Sequence, residues 1–227
     1  MNPKTRNLFV RTASGIVYVA LMVAAVFTPW VAVPLALFFA FVGIYEFYKL
    51  ISSPDFQQNA YFKNRTILAV LGMLWILLPL CVLFFLWIPQ QQAMVLAFLI
   101  LIWMSDTAAY VVGSLFGKHK LAPDISPGKT WEGFLGSCVI TVGLAIGLSY
   151  IPLFRMMGMP VSWWIVYALI IQVFGLMGDL LESLFKRKAG VKDSGNIIPG
   201  HGGVLDRIDS ILIATIPAYL FYYCALV

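Results

Sequence analysis

Charge is what this 227-residue sequence has least of. Asp, Glu, Lys and Arg together make up 11% of it, against about 25% in soluble domains. Histidine occurs twice and cysteine three times. Cys81, Cys138 and Cys224 are scattered through apolar runs. They form neither a disulfide framework nor a CxxC site, and so read as packing residues. Internal repeats and low-complexity tracts are missing too. A small-residue cleavage pattern after the first apolar run is also lacking, which argues against a cleavable signal peptide.

Apolar residues fill the space that charge leaves. They make up 61% of the chain, and they recur in runs along its whole length rather than in one anchor. Seven runs approach or exceed the minimum of about 17 residues for a spanning helix: Thr12–Thr28, Trp30–Tyr48, Thr66–Trp87, Ala93–Val112, Trp131–Ile151, Trp163–Leu181 and Val204–Leu226. The expected fold is therefore all-α, a polytopic integral membrane protein with about seven transmembrane helices. Aromatics such as Trp163, Trp164, Tyr219, Tyr222 and Tyr223 suit belt or packing roles better than base stacking. Seven spans put the connections alternately on two sides. Fourteen of the 15 Lys and Arg residues then fall on one side, and only Arg155 on the other. By the positive-inside rule the amino terminus is expected to be cytoplasmic. The net charge of +5 is thus explained by topology, without nucleic acid as a partner.

The few charges are not spread evenly. Gly178 to Asp209 holds five of the ten acids, five of the 15 basic residues and one of the two histidines. Ionisable groups beside apolar helices are costly, and a cluster of them points to function. Asp179, Glu182 and Lys186 fall at i, i+3 and i+7, on one helix face. Lys186-Arg187-Lys188 and Lys192-Asp193 follow. Pro199-Gly200-His201-Gly202-Gly203 must be a turn, because three glycines and a proline would cripple a helix. Asp206 and Asp209 then share a face of the next helix. Two acidic helix faces are thus expected to flank a flexible basic loop. Carboxylates at fixed separation suit a hard divalent cation such as Mg2+. Glycine amides and Lys or Arg side chains suit phosphate. The combination indicates metal-assisted chemistry on a phosphorylated substrate.

A second polar stretch, Gly113 to Gly133, has similar chemistry. Its Gly128-Lys129-Thr130 is not a Walker A motif, since the preceding glycine spacing is wrong and no strand–loop–helix context exists. Lys120 and Lys129 can meet phosphate, and Thr130 is placed to cap the next helix. Asp106 closes an otherwise apolar run. Glu46, at the exit of the second run beside Tyr45, Tyr48 and Lys49, fits an interfacial ion pair as well as a catalytic role. Met1 to Arg11 reads as a basic flank or a short interfacial helix on anionic lipid.

Ser183-x-x-Lys186-Arg187-x4-Lys192-Asp193-x-Gly195, followed by Pro199-Gly200-His201-Gly202-Gly203-x-x-Asp206-Arg207-x-Asp209, resembles the signature of the phosphatidate cytidylyltransferases (CDP-diacylglycerol synthases). Ser105-Asp106 and Ser126-Pro127-x-Lys129-Thr130-x-Glu132-Gly133 resemble the same family's upstream elements, with mild departures at Ala108, Ala109 and Gly128. The resemblance implies one membrane-embedded cytidylyltransferase domain over residues 1–227, acting on CTP and phosphatidate with Mg2+ and pairing as a homodimer. A second cation, monovalent or not, is left open. Asp179 and Asp206 are matched to the family's metal acids, with Asp209 a neighbour. Lys186, Arg187 and Lys192 are matched to phosphate clamps, with Lys129, Ser183, Gly200, Gly202, Gly203 and Arg207 in the nucleotide-binding set. His201 is placed to touch phosphate or to assist a proton's departure, and one His with no nearby Cys argues against zinc. The preference for cytidine rests on the resemblance alone. Three competing readings are a transporter lining a cavity with Asp106, Asp179 and Asp206, an assembly protein, and a cytidylyltransferase for another phospholipid.

Overall fold

The computed structural model describes residues 3–58, 64–85, 91–200 and 202–226. Among these residues the chain forms nine helices and one short hairpin. Seven of the helices are long and apolar enough to cross a membrane. They are α1 (Pro3–Phe27), α2 (Pro29–Ile51), α4 (Arg65–Phe85), α5 (Gln92–Phe116), α6 (Trp131–Ser149), α8 (Val161–Lys188) and α9 (Leu205–Leu226), with α3 (Pro54–Gln57) and α7 (Pro152–Arg155) as single turns between them. Several boundaries have local causes. Pro29 occupies the first turn of α2, where a missing N–H costs nothing. The Ser53 hydroxyl accepts from Phe56 N at the start of α3.

Two elements differ from the sequence reading. The helix that carries the sixth span continues past Leu181 and takes in not only Lys186 but the whole triplet Lys186-Arg187-Lys188 as its last turn, where cations complement the negative end of the helix dipole. At 28 residues, α8 is about 42 Å long, well over the roughly 30 Å of hydrocarbon. The stretch between Lys118 and Trp131 is not irregular either. It holds the antiparallel strands β1 (Lys120–Ala122) and β2 (Ser126–Thr130), paired Lys120 with Thr130 and Ala122 with Ser126. The turn between them closes with Ile125 N donating to Ala122 O at 3.2 Å.

The chain forms two compact units, and the division falls inside α8 and α9. The first comprises residues 1–87 and 184–209. Its centre is aromatic: the Phe185 ring lies 5.2 Å from Phe47, 5.9 Å from Phe56 and 6.3 Å from Trp75, centroid to centroid. The second unit comprises residues 88–183 and 210–227. There α5 and α6 approach through small residues. A Cβ on Gly133 would sit 2.8 Å from Ala109 O and 3.1 Å from Gly113 Cα, the close backbone approach that packs helices in lipid. A buried polar bridge joins α6 to α8: Gln172 Nε2 donates to Ser137 Oγ at 2.5 Å, and Thr141 Oγ1 donates to Gln172 Oε1 at 3.3 Å.

Candidate active site

In the first unit the signature residues collect around one carboxylate. Asp206 sits in the first turn of α9. Its Oδ1 takes the Lys186 ammonium at 2.6 Å, with the two side chains only 6% and 11% exposed. Its Oδ2 accepts from Ser194 N at 3.0 Å, Ser194 Oγ at 3.1 Å and Gly203 N at 2.8 Å. Three donor groups therefore gather on Oδ2, and the ammonium holds Oδ1. Lys186, expected to clamp phosphate, spends its charge on Asp206 in this arrangement. Arg187 is exposed and donates to Val191 O at 3.2 Å. Lys192 and Arg207 are exposed, whereas Asp209 is buried.

The glycine turn exists because of this packing. Gly202 has φ +84°, a conformation that side chains other than glycine's rarely adopt. Gly203 is needed for room: a Cβ there would overlap Ser194 Oγ and lie 2.6 Å from Glu46 Oε2. Gly200, also at positive φ, packs against the α1 backbone at Arg11. Farther along the same face of α1, Ser14 Oγ donates to Pro199 O at 3.0 Å and Tyr18 OH donates to Arg207 O at 3.1 Å. Arg11, Ser14 and Tyr18 fall at i, i+3 and i+7, a single stripe. His201, the proposed phosphate or proton group, lies outside the described residues.

Beneath the turn lies a residue whose role the sequence left open. Glu46, on α2, is 1% exposed. Its Oε1 accepts from Val204 N at 3.1 Å, and its Oε2 accepts from Leu205 N at 2.8 Å and Ser194 Oγ at 3.0 Å. Among the described residues no cation pairs with it, so an ion pair does not account for it. Its partners are the first amides of α9, where the helix dipole favours an anion. Ser194 was missed altogether. Its only signal in the sequence was a small hydroxyl between Asp193 and Gly195.

The second unit holds the other signature acid. Asp179 Oδ2 pairs with Lys129 Nζ at 2.5 Å, with side chains 33% and 22% exposed. Asp179 Oδ1 accepts from Ser183 Oγ at 3.2 Å. Lys129 reaches this acid from β2, and the next residue, Thr130, caps α6 by accepting from Gly133 N at 3.2 Å. Glu132 folds back on its own loop: it receives the Lys118 and His119 amides and pairs with His119 Nδ1 at 2.5 Å.

Among the described residues no three His, Cys, Asp or Glu side chains form a metal-ligating group. The two signature acids differ in their fit to a cation. Asp179 has two of its lone-pair directions engaged and is a third exposed, which suits a hydrated divalent ion. Asp206 is held on both oxygens and its side chain is only 6% exposed, so it is less open to an ion than Asp179.

Comparison with known proteins supplies the class. The model of the Cytidylyltransferase family matches residues 3–225, so the chain belongs to that family. A phosphatidate cytidylyltransferase of Haemophilus influenzae is 45% identical over 125 residues, 55% of this chain and 43% of the relative. One from Staphylococcus aureus strain COL is 50% identical over 118 residues, 51% of this chain and 43% of the relative. One from Bacillus subtilis is 46% identical over 127 residues, 56% of this chain and 45% of the relative. The matching stretch spans less than half the length of these curated relatives.

Proposed function

We propose that this chain catalyses transfer of a cytidylyl group from CTP to phosphatidate, giving CDP-diacylglycerol and pyrophosphate. The observation that carries the proposal is the ordered stretch from Ser183 to Asp209, with Lys186, Ser194 and Gly203 converging on Asp206. Its residues match a family whose relatives bear the name of that activity. In the reaction a phosphatidate phosphate oxygen attacks the α-phosphorus of CTP. The bond to the bridging oxygen breaks, and pyrophosphate leaves with that electron pair. A phosphate monoester already carries about −1.5 to −2 charges near neutrality, so no strong base is required, and His201 is assigned at most a supporting proton transfer.

Both substrates are anionic, so the protein's task is positioning and charge neutralisation. Exposed Arg187, Lys192 and Arg207 are assigned to phosphate oxygens, with the amides of Gly200 and Gly202. Lys129 and Lys186 hold carboxylates in the absence of substrate and are assigned to exchange them for phosphate. Mg2+, when bound, would neutralise charge on the triphosphate. Asp179 is the acid best suited to it, and Asp206 and Asp209 are the other two assigned to it. The active site is assigned to the cytoplasmic face of the plasma membrane, where CTP is available, and the protein is assigned as a homodimer.

The test is an assay of purified protein with phosphatidate and each of the four nucleoside triphosphates, with and without Mg2+. CDP-lipid formed only from CTP and only with the cation is the expected result. Turnover with another nucleotide, or flux of a solute without nucleotide consumption, overturns the proposal.

A further inference from the structure

Glu46 is a charged group buried on a membrane helix, and the proposed reaction gives it nothing to do. Burying a carboxylate is costly unless its oxygens are hydrogen-bonded. Glu46 meets that condition with two amides, Val204 N and Leu205 N, and with the Ser194 hydroxyl, whose one proton it shares with Asp206. These donors bracket the glycine turn on both sides. Two glycines make the approach possible, since a side chain at Gly195 would collide with the Glu46 carboxylate and one at Gly203 would lie 2.6 Å from Oε2.

Ser194 connects this carboxylate to the site. Its Oγ is 3.0 Å from Glu46 Oε2 and 3.1 Å from Asp206 Oδ2. A hydroxyl has one proton and can donate to only one of these acids at a time. The Ser194 backbone N–H, however, donates to Asp206 Oδ2 regardless. Holding Ser194 in place therefore keeps that amide aimed at Asp206, and Asp206 in turn fixes the Lys186 ammonium.

We infer that Glu46 is a positioning residue: by gripping Ser194 and the first amides of α9, it sets the Asp206 carboxylate and the glycine turn in their working geometry. The inference rests on the proposed reaction for its consequence, but the grip itself is independent of any substrate. Glutamine at position 46 keeps the shape and loses the match. It presents one acceptor oxygen and one NH2 donor to a site built from two amides and a shared hydroxyl.

The test compares Glu46→Gln, Ser194→Ala and the double variant, each as the full chain in detergent. Two things are read: hydrogen exchange of the peptide spanning residues 194–205, and kcat and KM for CTP and for phosphatidate. For Glu46→Gln, exchange should quicken in that peptide and not in peptides of α5 or α6. The kcat should fall about 10²-fold, the scale of a misplacement of about 1 Å, with both KM values within about threefold. Ser194→Ala should do the same more weakly. The double variant should lose less than the product of the two single losses, because both act through one network.

Unchanged exchange in that peptide in both single variants overturns the inference, as does a rise in KM at constant kcat. Exchange that quickens equally in every peptide also overturns it, since Glu46 would then support the whole fold. If the unaltered protein turns over no CTP, the proposed function fails, while the exchange measurement still decides the role of Glu46.

Discussion

The two polar stretches look alike on paper and are built in opposite ways. Residues 189–209 and residues 113–133 are both rich in glycine, and each mixes basic residues with acids. The first is held by distant parts of the chain: Glu46 on α2 and Ser14 and Tyr18 on α1 all bond to it. The second is held mostly by its own residues, with Lys129 reaching out to Asp179 on α8. Its hairpin pairs with itself, Thr130 caps its own helix, and Glu132 binds amides 13 and 14 residues away. A loop organised by buried long-range acids should be brittle, and one organised by local exposed contacts should tolerate change.

The largest effect is expected at Asp206. Asp206→Asn removes the carboxylate that the buried Lys186 ammonium pairs with at 2.6 Å. Breaking such a pair costs about 3–5 kcal/mol, to be read as a large fall in melting temperature together with loss of turnover. Next comes a matched pair of glycines. Gly203→Ala forces a methyl group against Ser194, Glu46 and the backbone of Gly195; overpacking of this kind costs about 1–3 kcal/mol. Gly128→Ala in the hairpin meets nothing within 4 Å and should stay within about 0.5 kcal/mol. Equal losses at the two glycines, read by thermal unfolding, would erase the contrast. Thr130→Ala removes a helix cap and should cost about 1 kcal/mol. For Lys129→Ala the stability change should be smaller still, about 0–1 kcal/mol for a partly exposed pair. Turnover there should nevertheless fall about 10- to 100-fold, the equivalent of one charge-assisted hydrogen bond of about 1.5–3 kcal/mol. A loss of stability without loss of turnover would remove Lys129 from the site.

The same contrast explains what was legible before folding. The seven spans were readable because the bilayer demands length and apolarity, both of which are local properties. Asp179, Lys186 and Asp206 stood out because charge is rare here. Thr130 as a cap followed from its neighbours alone. Glu46 was visible as an anomaly but not as a partner of Ser194, because its contacts reach 148 to 159 residues ahead and no spacing rule covers that distance. The β-hairpin went unread because a three-residue strand is too short to show alternation, although Pro123-Asp124 marked its turn. The spacing of Asp179, Glu182 and Lys186 carries the helix past the apolar span that ends at Leu181, but no periodic signal extends it over Arg187 and Lys188. Nothing before Ala189-Gly190 in fact breaks the helix.

Glu46 also carries a consequence for how the chain is made. At about 5–20 residues per second, the ribosome needs roughly 10–30 s to travel from Glu46 to Leu205. For most of that interval none of its final partners has been translated, since the first of them, Ser194, lies 148 residues ahead. A ribosome stalled inside α8 would leave a nascent chain whose Glu46 carboxylate lacks all three of these partners, and a buried carboxylate without hydrogen bonds is costly.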